Sequence, residues 1–222
     1  MKLEEIKQYL APEVLRVLSK DIETLTPAQE KAVKAGLFEN KNLLVCTPTA
    51  SGKTLIGEFA ATTAIAQNRG KAIYIVPLKA LANEKYKDFK KRYAGLFKIA
   101  ISIGDTDSAD TYLSNYDFII CTSEKLDSLI RHHTPWLKSV AVVIVDEIHL
   151  LNDAGRGPTL EILLTLLRKL LAKVQVIGLS ATIGNAPELA HWLDANLIVD
   201  EWRPVKLHKG IYYDGEIEFK EE

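Results

Sequence analysis

The 222-residue chain has almost no net charge, two cysteines, no long apolar run, no internal repeat and no low-complexity tract. Lys and Arg total 28 against 29 Asp and Glu, a formal net charge of -1. That balance excludes a protein that grips nucleic acid by bulk charge, although not one with a local basic groove. The longest uninterrupted apolar run, Val140 to Val145, falls far short of the ~18 residues a membrane span needs, so no membrane partner is expected. The opening MKLEEIKQYL carries charges where a secretory signal would be apolar, and no signal peptide is expected. Cys46 and Cys121 each end an apolar strand-like run, and no histidines cluster with them. Buried free thiols in a reducing, cytoplasmic setting are therefore expected rather than a zinc site. Hydrophobic residues at 47% and charged residues at 26% are ordinary for a globular chain, and the length suits one large α/β domain better than two.

What is present is an alternation of strand-length apolar runs and helical patterns. The predicted strands are 42–46, 72–76, 98–102, 117–121, 141–145, 174–180 and 197–199. Most are apolar on both faces, as strands covered by helices on both sides must be. Between them, 53–66, 78–93 and 158–171 have helical spacing, the last with a stripe of six leucines opened by Gly157-Pro158. The order predicts a doubly wound α/β domain with a mostly parallel sheet and helices on both faces, its ligands at the carboxyl ends of the strands. Residues 1–24 read as helical segments on the domain edge, broken at Pro12. Residues after Trp202 read as carrying no complete element.

Three motifs follow predicted strands. Thr47-Pro48-Thr49-Ala50-Ser51-Gly52-Lys53-Thr54 leaves a strand and opens a helix, the setting in which backbone N–H groups and a helix N-terminus cradle phosphate. Lys53 would reach the phosphates and the Thr54 hydroxyl would ligate Mg²⁺. Thr47 stands where the usual pattern has its first glycine, and an ordinary strand–turn–helix corner is the alternative. Asp146-Glu147 ends the most apolar strand. Asp146 suits Mg²⁺, partly through water, and Glu147 suits general-base attack on water, against a solvated pair beside a helix start. Ser180 and Thr182 end the next strand and could link the phosphate site to a neighbouring surface, or simply cap a helix. Lys85, Lys87, Lys90, Lys91 and Arg92 read as a solvated helix face, with a basic nucleic-acid surface as the alternative.

In this order PTASGKT, DEIH and LSATIGN resemble motifs I, II and III of superfamily two helicases of the DExH type. More closely, the chain resembles the archaeal Ski-like DNA repair helicases. Leu25-Thr26-Pro27-Ala28-Gln29 and Pro77-Leu78-Lys79-Ala80-Leu81-Ala82 are similar to further family motifs, Lys79 standing where arginine is common, and the likeness runs from about Ile22 to Gly210. The resemblance implies a RecA-like P-loop NTPase domain with ATP and Mg²⁺ as cofactors. Gln29 would bind adenine, and Thr49, Ala50, Ser51, Gly52, Lys53 and Thr54 the phosphates. Lys53, Asp146 and Glu147 would be catalytic, with Thr54 and Asp146 at the metal. His149, Ser180 and Thr182 would couple nucleotide state to a nucleic-acid track along Pro77, Lys79, Ala80, Gly104, Asp105 and Thr122. Those positions fall at strand ends and helix starts, where amides and hydroxyls can meet a phosphate backbone.

The resemblance also implies that residues 1–200 form the first RecA-like motor domain, and 201–222 a linker and the start of a second, which carries the arginine fingers. A monomer acting on single-stranded or forked DNA is expected, with 3'-to-5' polarity, and RNA is the alternative substrate. A chain holding one motor half would bind ATP–Mg²⁺ weakly and hydrolyse it little. A stand-alone P-loop kinase would need its own arginine-bearing lid, for which Arg131, Arg156 and Arg168 are too scattered. A noncatalytic nucleic-acid-binding module would not need Lys53, Asp146 and Glu147.

Overall fold

Runs rich in Val, Ile and Leu with no polar face have nowhere stable to go except the middle of a sheet covered on both sides. In a computed structural model, which describes residues 1–104, 110–171, 173–206, 208 and 210–219, they do this. The strands are β1 (Leu43–Cys46), β2 (Lys71–Val76), β3 (Ile99–Ser102), β4 (Phe118–Thr122), β5 (Val140–Val145), β6 (Gln175–Ser180) and β7 (Asn196–Val199). All seven predicted strands form, within two residues of the predicted limits. They make one sheet in the order β3-β4-β2-β5-β6-β1-β7, and every pairing in it is parallel. The carboxyl ends of all seven strands therefore share one edge of the sheet.

The helices are α1 (Pro12–Leu18), α2 (Pro27–Lys34), α3 (Lys53–Ala66), α4 (Lys79–Arg92), α5 (Ser123–Arg131), α6 (Gly157–Leu170) and α7 (Ala186–Leu193). Alternate strand residues separate two cores. Tyr74, Phe118 and Ile144 pack with α1 to α4 on one face, and Ile73, Ile119 and Val143 with α5 to α7 on the other. Pro12 does break the opening segment, ending a 3-10 helix over Leu3–Tyr9 and taking the first position of α1. That segment is more than an edge decoration, because Leu3, Ile6, Leu10, Val14 and Leu18 are all buried in the first core.

α2 and α5 went unmarked in the sequence reading, and both have legible caps. The Thr26 hydroxyl accepts from the Gln29 N–H, and the Gln29 side chain returns the bond, a capping box with Pro27 at the first helical position. Thr122 caps α5 in the same way by accepting from the Lys125 N–H. The segment after Trp202 departs from expectation. β8 (Gly210–Tyr213) and β9 (Glu216–Phe219) form an antiparallel hairpin. Its turn is Asp214-Gly215, both with positive φ, which matches the twist of paired strands.

At the start of α6 the backbone of Gly157 meets the preceding turn so closely that a Cβ would sit 2.1 Å from the Leu151 carbonyl oxygen. Gly157→Ala must push α6 off the acidic-motif turn. The expected cost is about 2 kcal/mol in a urea titration, and an unchanged midpoint would show that the turn gives way freely. No helix among the described residues is long and apolar enough to cross a membrane.

Candidate nucleotide site

β1 delivers the chain to a loop over residues 47–52, and α3 carries it away at Lys53. The loop is held by side chains from elsewhere. Thr26 Oγ1 donates to the Ser51 carbonyl at 3.0 Å, and Gln29 Nε2 donates to the Gly52 carbonyl at 2.9 Å. Ala50 and Gly52 both take positive φ, +66° and +83°. At Gly52 this is a requirement, since a Cβ there would also sit 2.5 Å from Gln29 Nε2. Thr47, the departure from the glycine pattern, is fully buried, and its hydroxyl shares a 2.7 Å hydrogen bond with Ser51 Oγ. A side-chain bridge thus closes the loop where the usual pattern has glycine. The Thr47 N–H donates to the Ser180 carbonyl at 3.2 Å, fastening the loop to β6.

Gln29 is 4% exposed, and its Oε1 accepts from the Thr26 N–H at 2.9 Å. The structure brings it to the loop as expected, with both ends of its amide engaged by backbone. Beside it opens a cleft of about 510 Å³, lined by Thr26, Gln29, Gly52, Thr54, Lys85 and Arg92 among others, within the range of small-molecule sites. Thr49 and Ala50 are exposed at the tip of the loop.

Two strands away, β5 ends in the acidic pair. Glu147 has φ +53° and donates its N–H to Asp146 Oδ1 at 3.0 Å. This turn aims both carboxylates at the loop. Glu147 Oε1 lies 3.4 Å from Lys53 Nζ, and Glu147 Oε2 lies 3.4 Å from His149 Nδ1, too misaligned for a hydrogen bond. Asp146 Oδ2 accepts from the Tyr74 hydroxyl at 2.9 Å. Burial and the adjacent Asp146 carboxylate hold that phenol protonated, well above its ordinary range.

Sequence reasoning missed one residue here. Lys85 leaves the solvated face assigned to it and reaches inward, its Nζ donating to Thr54 Oγ1 at 3.0 Å and lying 3.8 Å from Asp146 Oδ2. A single cation thus already faces both proposed metal ligands. A hydroxyl and a carboxylate turned toward one positive charge are a hard-oxygen donor set that fits Mg²⁺.

The solvated-face reading fails at Arg92 as well, because its guanidinium donates to both oxygens of Glu58 at 2.7 and 2.6 Å. Tyr93 adds a third bond to Glu58 at 2.6 Å. Glu58 is 2% exposed on α3, one turn beyond Thr54, and was not among the sequence expectations. A glutamate four residues beyond Thr54 on an otherwise apolar helix was the available signal.

Ser180 is buried and its hydroxyl has no hydrogen-bond partner among the described residues, whereas Thr182 is exposed. The two hydroxyls therefore face different surroundings. Of the track residues, Lys79, Ala80 and Gly104 are exposed, Pro77 is half-buried, Thr122 is buried as a helix cap, and Asp105 lies outside the described residues. The strand order sorts these two groups. The phosphate-loop and acidic candidates follow β1 and β5, with the coupling candidates Ser180 and Thr182 after β6 between them, and the track candidates follow β3, β4 and β2, while Gln29 precedes β1 on α2. The two cysteines are buried, and burial pushes the Cys121 thiol up to about 12, which leaves it unreactive.

Comparison with known proteins agrees with this geometry. Residues 26–189 match the family model described as DEAD/DEAH box helicase. The ATP-dependent DNA helicase Hel308 of Pyrococcus abyssi is 51% identical over 203 residues, 91% of this chain and 28% of that protein. Hel308 of Methanocaldococcus jannaschii is 58% identical over 203 residues, 88% of this chain and 17% of that protein. Among solved structures, the DUF1998 helicase MrfA bound to DNA superposes with a TM-score of 0.73 at 26% identity, covering 87% of this chain and 30% of that one. The chain thus spans less than a third of the length of these relatives. A family match over well over half of its residues, with the motif side chains gathered on one sheet edge, shows that the chain belongs to the DEAD/DEAH box helicases.

Proposed function

We propose that this chain is the first RecA-like motor half of an ATP-dependent DNA helicase. On this reading residues 1–200 are the motor domain, and 201–222 the linker and the beginning of the second. The observation that carries it is the sorting along one sheet edge. Candidate phosphate-loop and acidic residues follow β1 and β5, the candidate coupling hydroxyls follow β6 between them, and the candidate backbone-tracking residues follow β2, β3 and β4. A motor needs its nucleotide and its strand on neighbouring parts of one rigid element, and the parallel sheet supplies this.

Within the site Lys53 would bind the terminal phosphates, and the 49–54 amides would cradle them. Thr54 and Asp146 would hold Mg²⁺, which when bound supplies charge neutralisation at the phosphates. Glu147 would take the proton from the attacking water at its carboxylate, with Lys53 and His149 on either side to orient it. Gln29 would meet adenine by exchanging one of its backbone bonds, and His149, Ser180 and Thr182 would relay the change. Exposed Lys79, Ala80 and Gly104, with Pro77, Asp105 and Thr122, would follow the strand's phosphates without reading bases. The names of the Hel308 relatives favour DNA over RNA, and the polarity expected of the family is 3'-to-5'. A cytoplasmic monomer acting on single-stranded or forked DNA completes the reading.

The test is nucleotide binding without efficient turnover. At a hundredfold excess over Kd, ATP–Mg²⁺ should raise the melting temperature of the chain by about 5–10 °C. Phosphate release should stay on the order of 10³-fold or more below that of a two-domain helicase, because arginine fingers are worth that much. Robust turnover stimulated by single-stranded DNA in this chain would overturn the motor-half reading. Stimulation by RNA and not DNA in the longer protein would favour the alternative substrate.

A further inference from the structure

The position of Lys85 asks for an explanation beyond the family motifs. It sits on α4 and is largely buried, 17% exposed at its side chain, despite being a lysine among lysines. Its ammonium contacts Thr54 Oγ1 at 3.0 Å and lies 3.8 Å from Asp146 Oδ2. The same Nζ stands 6.0 Å from the centroid of the Tyr74 ring, whose hydroxyl bonds to that same carboxylate oxygen. Thr54 and Asp146 are the residues assigned above to Mg²⁺.

Mg²⁺ takes oxygen ligands at about 2.0–2.1 Å. An ion at that distance from Thr54 would stand within about 5 Å of Nζ in its present place, whatever its direction. Two cations so close in a half-buried site repel, and that repulsion favours withdrawal of the lysine when the ion binds. The lysine has the means, with a flexible four-carbon stem and rotatable donors. It also has a destination, since the adjoining cleft carries Glu23 and Asp88 on its wall, the latter three residues along the same helix.

We infer that Lys85 is the resident counter-cation of the metal site. Its ammonium balances Asp146 and occupies the Thr54 hydroxyl while no metal is present, and it yields that place when Mg²⁺ arrives. This rests on the nucleotide-site reading above. Its consequence is that metal affinity is set by competition: the protein holds its two ligands together at the cost of a weaker hold on free divalent ions. Lys85 is a positioning residue in this account, since it acts through Thr54 and Asp146.

The experiment measures Mn²⁺ binding to the nucleotide-free chain by electron paramagnetic resonance, and ADP binding with Mg²⁺ or with EDTA. Lys85→Met should bind free Mn²⁺ on the order of tenfold tighter than the unaltered chain. Its ratio of ADP affinity with Mg²⁺ to that with EDTA should widen by a similar factor. Lys85→Arg, which keeps the charge, should stay close to the unaltered chain in both. Lys85→Gln provides a second neutral variant should Lys85→Met fold poorly, as judged by circular dichroism. If the neutral variants bind ADP–Mg²⁺ but show unchanged Mn²⁺ affinity and an unchanged ratio, the exchange is wrong and the nucleotide site stands. If no form of the chain binds ADP–Mg²⁺, the nucleotide-site reading fails and takes the exchange with it.

Discussion

Glu147→Gln is expected to cut ATP turnover by about 10²–10⁴-fold, the usual contribution of a general base, while leaving nucleotide affinity nearly unchanged. The substitution is close to isosteric. Its amide oxygen can still face Lys53 Nζ, which lies 3.4 Å from Glu147 Oε1, so that lysine keeps a polar neighbour. What disappears is basicity at the position that faces the phosphate loop. The carboxylate is set there by a backbone turn with positive φ rather than by side-chain packing, so the replacement need not disturb its neighbours. Phosphate release, measured with this segment carried in a complete two-domain protein, reads the rate, and a fluorescent nucleotide reads the affinity. Turnover within about tenfold of the unaltered enzyme would assign the base elsewhere.

The largest effect on stability is expected from Arg92→Met. Glu58 is buried on α3, one turn beyond Thr54, and receives two bonds from Arg92 and one from Tyr93. Burial nonetheless dominates and holds the Glu58 carboxyl above its ordinary value of 4.5, with Arg92 and then Tyr93 pulling it back down. Removing the guanidinium leaves a buried carboxylate half compensated, a change that costs about 3 kcal/mol even allowing for the partial exposure of Arg92. The sign with pH follows from the raised carboxyl. A proton is held more tightly in the folded than in the unfolded chain, so the favourable contribution is complete below 4.5 and is lost as pH rises through the folded value. In Arg92→Met that value moves higher still. The penalty should therefore be full at pH 7 and smaller at pH 5, measured as urea midpoints of the two chains at each pH. An equal penalty at both would mean that Glu58 is already protonated at neutral pH.

The strands were the easiest part of this molecule to read. Two-faced apolar runs such as VAVVIV admit few alternatives, and all seven lie where patterning put them. The 47–54, 146–147 and 180–182 positions could be placed for the same reason, because each follows such a run, whereas Gln29 follows no strand. Strand order was not legible. Nothing in 43–46 or 175–180 says that they pair, yet that pairing fastens Thr47 to Ser180. Lys85 and Arg92 were misread because helical spacing in a charged segment cannot say which lysine or arginine is long enough, and close enough to a buried acid, to turn inward. The hairpin after Gly210 carried its signal openly in Asp214-Gly215 between alternating side chains, and was missed because no third strand accompanied it.

β1 lies between β6 and β7, so the strand that leads into the 47–52 loop pairs on both sides with residues more than 130 positions later. During synthesis, therefore, the segment 43–46 emerges long before either of its neighbours exists. Native pairing around it must wait for residues 175–180 and 196–199 to leave the ribosome, and such distant pairings are slow to find. Until then an unpaired, wholly apolar strand is exposed to other chains. The order of manufacture thus makes the last strands of the sheet the gatekeepers of β1, and a ribosome that stalls before Asn196 would release a chain in which β1 has no partner on its β7 side.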